Sequence, residues 1–164
     1  MEKYPLFILK LIDICMKWDI IINSKDVSGG LDISITPEND VVRFIILQYK
    51  VLGLPKLINY VSESLSTGIE HVHIRNYSDM DWEDKVWAKY VKGSELEAGE
   101  MFLVHDIIGE TTIKEALFDK ILYDYGSKLL EIYQNDKTLP NLWGLELHQA
   151  LEKLKVKIDK ESLA

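Results

Sequence analysis

Apolar positions along the chain fall into runs whose spacing switches between helical and alternating. Over residues 5–17 nearly everything is apolar except Lys10, Asp13 and Lys17, which recur at spacings of three and four. One narrow polar stripe on an apolar cylinder predicts a helix covered by its own fold or by a partner. Residues 18–22 and 31–35 flank Asp26-Val27-Ser28-Gly29-Gly30, and the second run alternates Leu31, Ile33 and Ile35 with Asp32 and Ser34. A period of two on either side of a glycine-bearing turn predicts a β-hairpin. Thr36, Pro37 and Glu38 then offer an N-cap, a first helical residue and an acid for the helix dipole, predicting a helix over 37–52 stopped by Gly53. Residues 41–47 are rich in β-branched side chains, so a strand is the alternative there. Leu57, Val61 and Leu65 repeat every four residues and predict a second helix from Leu54 or Pro55 to Ser66, ended by Gly68.

The region 69–108 predicts an antiparallel meander with strands at 70–77, 85–91 and 101–108. With Tyr77 opposite Lys85, His71, His73 and Arg75 share a face with Lys85, Trp87 and Lys89. Val72 and Ile74 then share the other face with Val86, Ala88 and Tyr90, and a slip of one residue mixes the two sets. Trp87 is either exposed between its lysines or roofed by a helix. The third strand is apolar on both faces (Met101, Leu103 and Ile107 against Phe102, Val104 and Ile108), so the hairpin pairs with it or a helix covers it. Thr112-Ile113-Lys114-Glu115 has capping-box form. The helix it opens carries Phe118, Leu122, Tyr125, Leu129 and Ile132, with a kink at Gly126. After a loop over 135–140, a last helix over 142–157 shows the stripe Trp143, Leu147, Ala150, Leu154 and Ile158, with Trp143 in the core. The fold class is therefore α+β in a single domain over 1–164: the three-strand meander near 69–108 plus an N-terminal hairpin, packed with several helices.

Composition narrows the function classes. A chain of 164 residues with 47% hydrophobic and 28% charged residues is long and apolar enough for a core. Nineteen basic against 27 acidic residues give a net charge of −8, which repels a phosphate backbone and favours basic partners, so nucleic acid is not expected. The lone Cys15 permits no disulfide within the chain and no cysteine-based zinc site, and a reducing cytosol suits it. Lys10, Asp13, Lys17 and Asp19 interrupt the apolar stretch 5–22, so it predicts neither a membrane span nor a cleaved leader, and the chain is expected to be cytoplasmic and unprocessed.

Phosphate-binding, dinucleotide, zincin and EF-hand signatures are absent, and Val27-Ser28-Gly29-Gly30 lacks the glycine that precedes the serine of a nucleophile elbow. His71 and His73, two apart on a strand, project to one face as metal ligands do, with His105 or its neighbour Asp106 as the third. Arg75, Lys85 and Lys89 on that face oppose a divalent ion, and a solvated sheet face is the plainer reading. No metal and no cofactor are expected. Asp79, Asp81, Glu83 and Asp84 cluster within a few residues, and the meander brings them beside Asp106 and Glu110. That makes a rim of carboxylates around Trp82 and Tyr77, a pattern suited to partner binding: aromatic anchors carry affinity, and acids speed encounter with a basic surface. The alternative is a solvated loop with Trp82 folded back onto the sheet.

A small acidic α+β chain without catalytic motifs is similar in general character to bacterial immunity proteins, though no motif is shared residue by residue. That resemblance implies a non-enzymatic inhibitor covering a basic toxin domain, often a nuclease, with acidic surface. The other readings are an acidic secretion-type chaperone or adaptor and a metal-dependent enzyme using His71, His73 and His105. The sequence sets no oligomeric state.

Overall fold

The alternating N-terminal runs fold as their spacing requires. In the computed structural model, which describes residues 19–25, 31–36 and 38–163, β1 (Asp19–Lys25) and β2 (Leu31–Thr36) form an antiparallel hairpin. Ile20 stands opposite Ile35, a bulge falls between Ile22 and Ser24, and Ile20, Ile33 and Ile35 are buried. The helix expected over 5–17 lies outside the described residues.

Thr36 is still part of the hairpin ladder, paired with Asp19, so it does not cap the helix that follows. Helix α1 (Asp40–Ser62) is instead capped by Asn39, whose side-chain oxygen accepts the Val42 N–H at 3.1 Å. The two helices expected over 37–52 and 54–66 run on as one element with its break at Lys50, not at Gly53. Val42, Ile45, Ile46 and Tyr49 are buried at helical spacing, which rules out the strand alternative over 41–47. Past the break, Pro55 has no N–H to offer the Val51 carbonyl four residues earlier. That carbonyl accepts the indole N–H of the buried Trp143 at 2.8 Å.

A second sheet has four antiparallel strands in the order β3 (Thr67–Ile69), β4 (Val72–Asn76), β5 (Glu100–His105) and β6 (Gly109–Lys114). This corrects the meander. The strand expected over 70–77 is β4, shortened to Val72–Asn76, with Glu70 and His71 in the turn from an additional strand, β3, and Tyr77 in the 3-10 helix that follows. The strand expected over 85–91 is helix α2 (Trp82–Lys92), so the register of Tyr77 on Lys85 does not exist. Local chemistry explains the helix. The Asp81 carboxylate accepts the Asp84 N–H at 2.8 Å, Glu83 and Asp84 fill the first turn, Lys89 and Lys92 the last, and Gly93 closes it at φ 82°. The alternation of Val86, Ala88 and Tyr90 has no structural meaning, since only Ala88 is buried.

β4 pairs directly with β5, Val72 opposite His105 and Asn76 opposite Met101. Val72, Ile74, Met101, Leu103 and Ile113 face the main core, which α1, α3 (Glu115–Tyr133) and α4 (Trp143–Ser162) complete. The opposite face of the sheet presents Phe102 and Val104 to α2, forming a smaller core with Met80, Ala88 and Leu96. Both sides of β5 are thus covered by helices, as its two apolar faces require. The hairpin does not pair with it; it is a separate sheet, held to α3 by the Lys128 ammonium donating to the Ile20 carbonyl.

Thr112 is a β6 residue opposite Phe102, so the expected capping box is not formed, and α3 starts without a side-chain cap. Phe118, Leu122, Tyr125 and Leu129 face the core as spaced, whereas Ile132 is exposed. Gly126 does not kink α3. It marks close packing: a Cβ there would lie 2.8 Å from Leu151 Cδ2 and 3.0 Å from Ile58 Cδ1.

Candidate protein-binding face

Helix α2 buries little of itself. Ala88 is its one buried residue, and the Trp87 ring packs edge-on to Phe102, centroids 5.1 Å apart at 78°. Two polar groups lean toward the sheet: Asp84 reaches Arg75 Nε at 3.2 Å, and Lys92 Nζ reaches Glu100 at 2.8 Å. The solvent side is apolar instead. Trp82, Val86 and Tyr90 lie at i, i+4 and i+8, so they form one line along the helix. They are 71%, 55% and 87% exposed, and Trp87 on the flank is 41% exposed. A surface helix normally puts charge along that line. Here charge borders it, with Glu83 near one end and Lys89 near the other, the latter paired with the exposed Glu95 at 2.5 Å.

The residues expected to form one acidic rim are divided by the topology. Tyr77, Asp79, Asp81, Trp82, Glu83 and Asp84 stay together, because the chain after β4 turns through a 3-10 helix (Tyr77–Asp79) into α2. Asp106 and Glu110 lie at the other end of the sheet. Asn76 pairs with the start of β5, whereas Asp106 follows its end and Glu110 pairs with Val104. The six-carboxylate rim is therefore not formed, a direct result of α2 replacing the expected strand. Within the first group several acids already have partners in the chain. Asp79 accepts from the Ser66 N–H at 2.8 Å and from the Ser66 hydroxyl, Asp81 caps α2, and Asp84 holds Arg75. The Lys85 ammonium sits 4.6 Å from the Tyr77 ring centroid. Trp82 does not fold back onto the sheet.

The three histidines do not converge. His71 Nδ1 and His73 Nε2 each lie 3.4 Å from an oxygen of Asp106, and Arg75 Nη2 is 3.5 Å from His73 Nδ1. His105 points to the other side of the sheet, where it is buried edge-on to Phe44 and its Nδ1 accepts from the Ile107 and Ile108 N–H groups at 3.3 and 3.4 Å. Successive residues on a strand face opposite ways, and His105 pairs with Val72, whose side chain is on the face away from His73, so His105 is not a third ligand for His71 and His73. The cavity under α2, lined by His73, Arg75, Asp84, Trp87, Phe102 and Val104, holds about 140 Å³. Small-molecule sites start near 300 Å³.

Sequence reasoning missed a buried charge cluster. Among the described residues, Glu115, Asp119 and Glu161 form the one group of potential ligands close enough to hold a cation. The cation there is Lys157, whose Nζ lies 2.6 Å from Glu115, 2.9 Å from Asp119 and 3.9 Å from Glu161. It also donates to the Val61 carbonyl at 2.7 Å, while Glu115 accepts from Ser64 and Asn76 at 2.6 and 2.9 Å. α1, α3 and α4 thus meet at one ammonium, and β4 joins them through the bond from Asn76 to Glu115. Burial pushes the Asp119 carboxyl up to about 8; Lys157 opposes the rise and Glu161 adds to it. For Glu115, burial also works upward, but Lys157, Ser64 and Asn76 outweigh it and hold the group below the ordinary range. The signal was an acid inside the apolar arc of each helix, Asp119 between Phe118 and Leu122 and Glu161 beyond Ile158.

No protein family, curated protein or solved structure matches this chain. Among the described residues, no helix is long and apolar enough to cross a membrane.

Proposed function

We propose that the chain is a non-enzymatic protein-binding protein of the immunity type, which neutralises a basic toxin domain by docking the outer face of α2 onto it. The observation that carries this reading is the exposed line Trp82, Val86 and Tyr90 on the solvent side of α2. A net charge of −8 and the acids of the first turn favour a basic partner. Interface energy concentrates in buried aromatic anchors, with bordering charges setting the rate and salt dependence of encounter. Trp82 and Tyr90 are the anchors, and Glu83 is the steering acid, since Asp79, Asp81 and Asp84 are engaged within the chain. The lone Cys15 fits a reducing, cytoplasmic setting.

The test is calorimetric titration against the purified product of the open reading frame next to this one. Wild type should bind it with an affinity that falls as salt rises. Trp82→Ala should weaken binding at least roughly 30-fold, matching a hot-spot loss of about 2 kcal/mol. Glu83→Lys should mainly slow association and flatten the salt dependence. A basic neighbour that binds Trp82→Ala as tightly as wild type overturns the reading, and so does one that wild type does not bind.

A further inference from the structure

The fold removes most of what opposed a metal ion at the two strand histidines. Lys85 and Lys89 belong to α2, where their ammoniums lie against the Tyr77 ring and Glu95. Of the three cations expected beside the histidines only Arg75 remains, and its Nε is 3.2 Å from the Asp84 carboxylate. The face gains an acid instead. His71 Nδ1 and His73 Nε2 each lie 3.4 Å from Asp106, one at each carboxylate oxygen. Two imidazoles and a carboxylate are the donor set of open zinc sites, in which neighbouring ligand atoms stand about 3.4 Å apart. We infer that His71, His73 and Asp106 bind a first-row divalent metal ion of the zinc type, with water in the fourth position. Imidazole donors select such ions over magnesium and calcium, which prefer oxygen. Metal binding here is independent of docking through α2.

The backbone fixes the three positions. Glu70 and His71 form the two-residue turn between β3 and β4, where Ile69 pairs with Val72. Glu70 holds φ 41°, and its carboxylate accepts from Gln48 Nε2 at 3.1 Å, which ties the turn to α1. The Asp106 N–H donates to the His71 carbonyl at 2.9 Å, one step past the pair of Val72 and His105. Side-chain rotation does the rest. Among the described residues only the Glu115 group has all its ligand atoms within 4.8 Å of one another, so the two rings must swing inward from either side of Asp106. The side chains of His71, His73 and Asp106 are 57%, 37% and 46% exposed, so little packing opposes that swing. Glu110, paired with Val104, brings a further carboxylate to the face that Val104 shares with His73. Arg75 works the other way. An imidazole bound through Nε2 carries its proton on Nδ1, and Arg75 Nη2 lies 3.5 Å from that nitrogen of His73.

Calorimetric titration of the full chain with zinc chloride is the test. Wild type should take up one equivalent, and magnesium or calcium in roughly tenfold excess should leave the affinity within about twofold. His71→Ala, His73→Ala and Asp106→Ala should each weaken binding at least roughly tenfold, since losing even an outer partner of a metal ligand costs that much. His148→Ala and Cys15→Ser remove zinc donors from elsewhere in the chain and should leave the affinity within about twofold. Arg75→Gln, which takes away the opposing charge, should tighten binding roughly threefold. Zinc at about a hundredfold over Kd should raise Tm by roughly 5 °C in wild type and not in the three ligand variants. Without zinc those variants should melt with wild type, because the bonds that set the two turns do not use the substituted side chains. A wild type that takes up no zinc overturns the site, and so does binding that survives loss of His71 and His73 unchanged. A response to magnesium or calcium in place of zinc also overturns it, and moves the ion to the carboxylates around Lys157.

Discussion

Lys50 adopts φ 56° and ψ −179° at the break in α1, a conformation that side-chain-bearing residues rarely hold and that costs on the order of 1–3 kcal/mol. Glycine adopts it freely but loses more chain entropy on folding. Lys50→Gly should therefore stabilise the fold by about 1 kcal/mol, or raise Tm by roughly 2–4 °C. A lowered Tm in a differential scanning run would count against strain at this residue. Asp119 makes the second residue-level prediction. Its folded pKa of about 8 stands above the ordinary aspartate value of 3.8, so between those values the folded chain keeps a proton that the unfolded chain has released. Stability from this group is full below about pH 4 and is lost as pH rises through 8. Glu115, held low, acts oppositely: its contribution is present above its ordinary pKa and is lost as pH falls through the depressed one. Tm should peak on the acid side of neutrality. Asp119→Asn should flatten the decline between pH 5 and 8, and an unchanged pH profile would remove Asp119 as its source.

At the scale of elements, legibility followed length and period. The hairpin and the α3 and α4 stripes were readable because alternation or helical spacing persists over many residues and the buried side follows from it. α2 was misread because its apolar residues point outward. Val86, Ala88 and Tyr90 mimic a strand, and a helix whose solvent side is apolar breaks the pattern rule. The terminal signals were present: Asp81 three residues before Asp84, acids then bases, and Gly93. Weighing those caps above a short alternation gives the helix. The rim fell with the strand, since the position of Asp106 and Glu110 depends on what pairs with β5. The exposure of Trp82 and its closeness in the chain to the local acids were legible. The meeting of three helices at Lys157 was not, because Glu115 and Lys157 are 42 positions apart and neither names its partner.

For the whole molecule, the decisive feature is that one sheet separates two cores of unequal size. The main core joins three helices, the hairpin and one sheet face, while the smaller one holds α2 through Met80, Ala88, Leu96, Phe102 and Val104. Regions with few buried apolar contacts open at lower free energy than the global transition. Deuterium uptake at the amides of α2 should therefore run well ahead of that in β5 and α4. Equal protection in all three would mean that α2 is as firmly seated as the rest. In the docking role proposed for α2, such early opening would let the helix adjust its seat on contact, and a bound partner protein would slow its exchange more than anywhere else among the described residues.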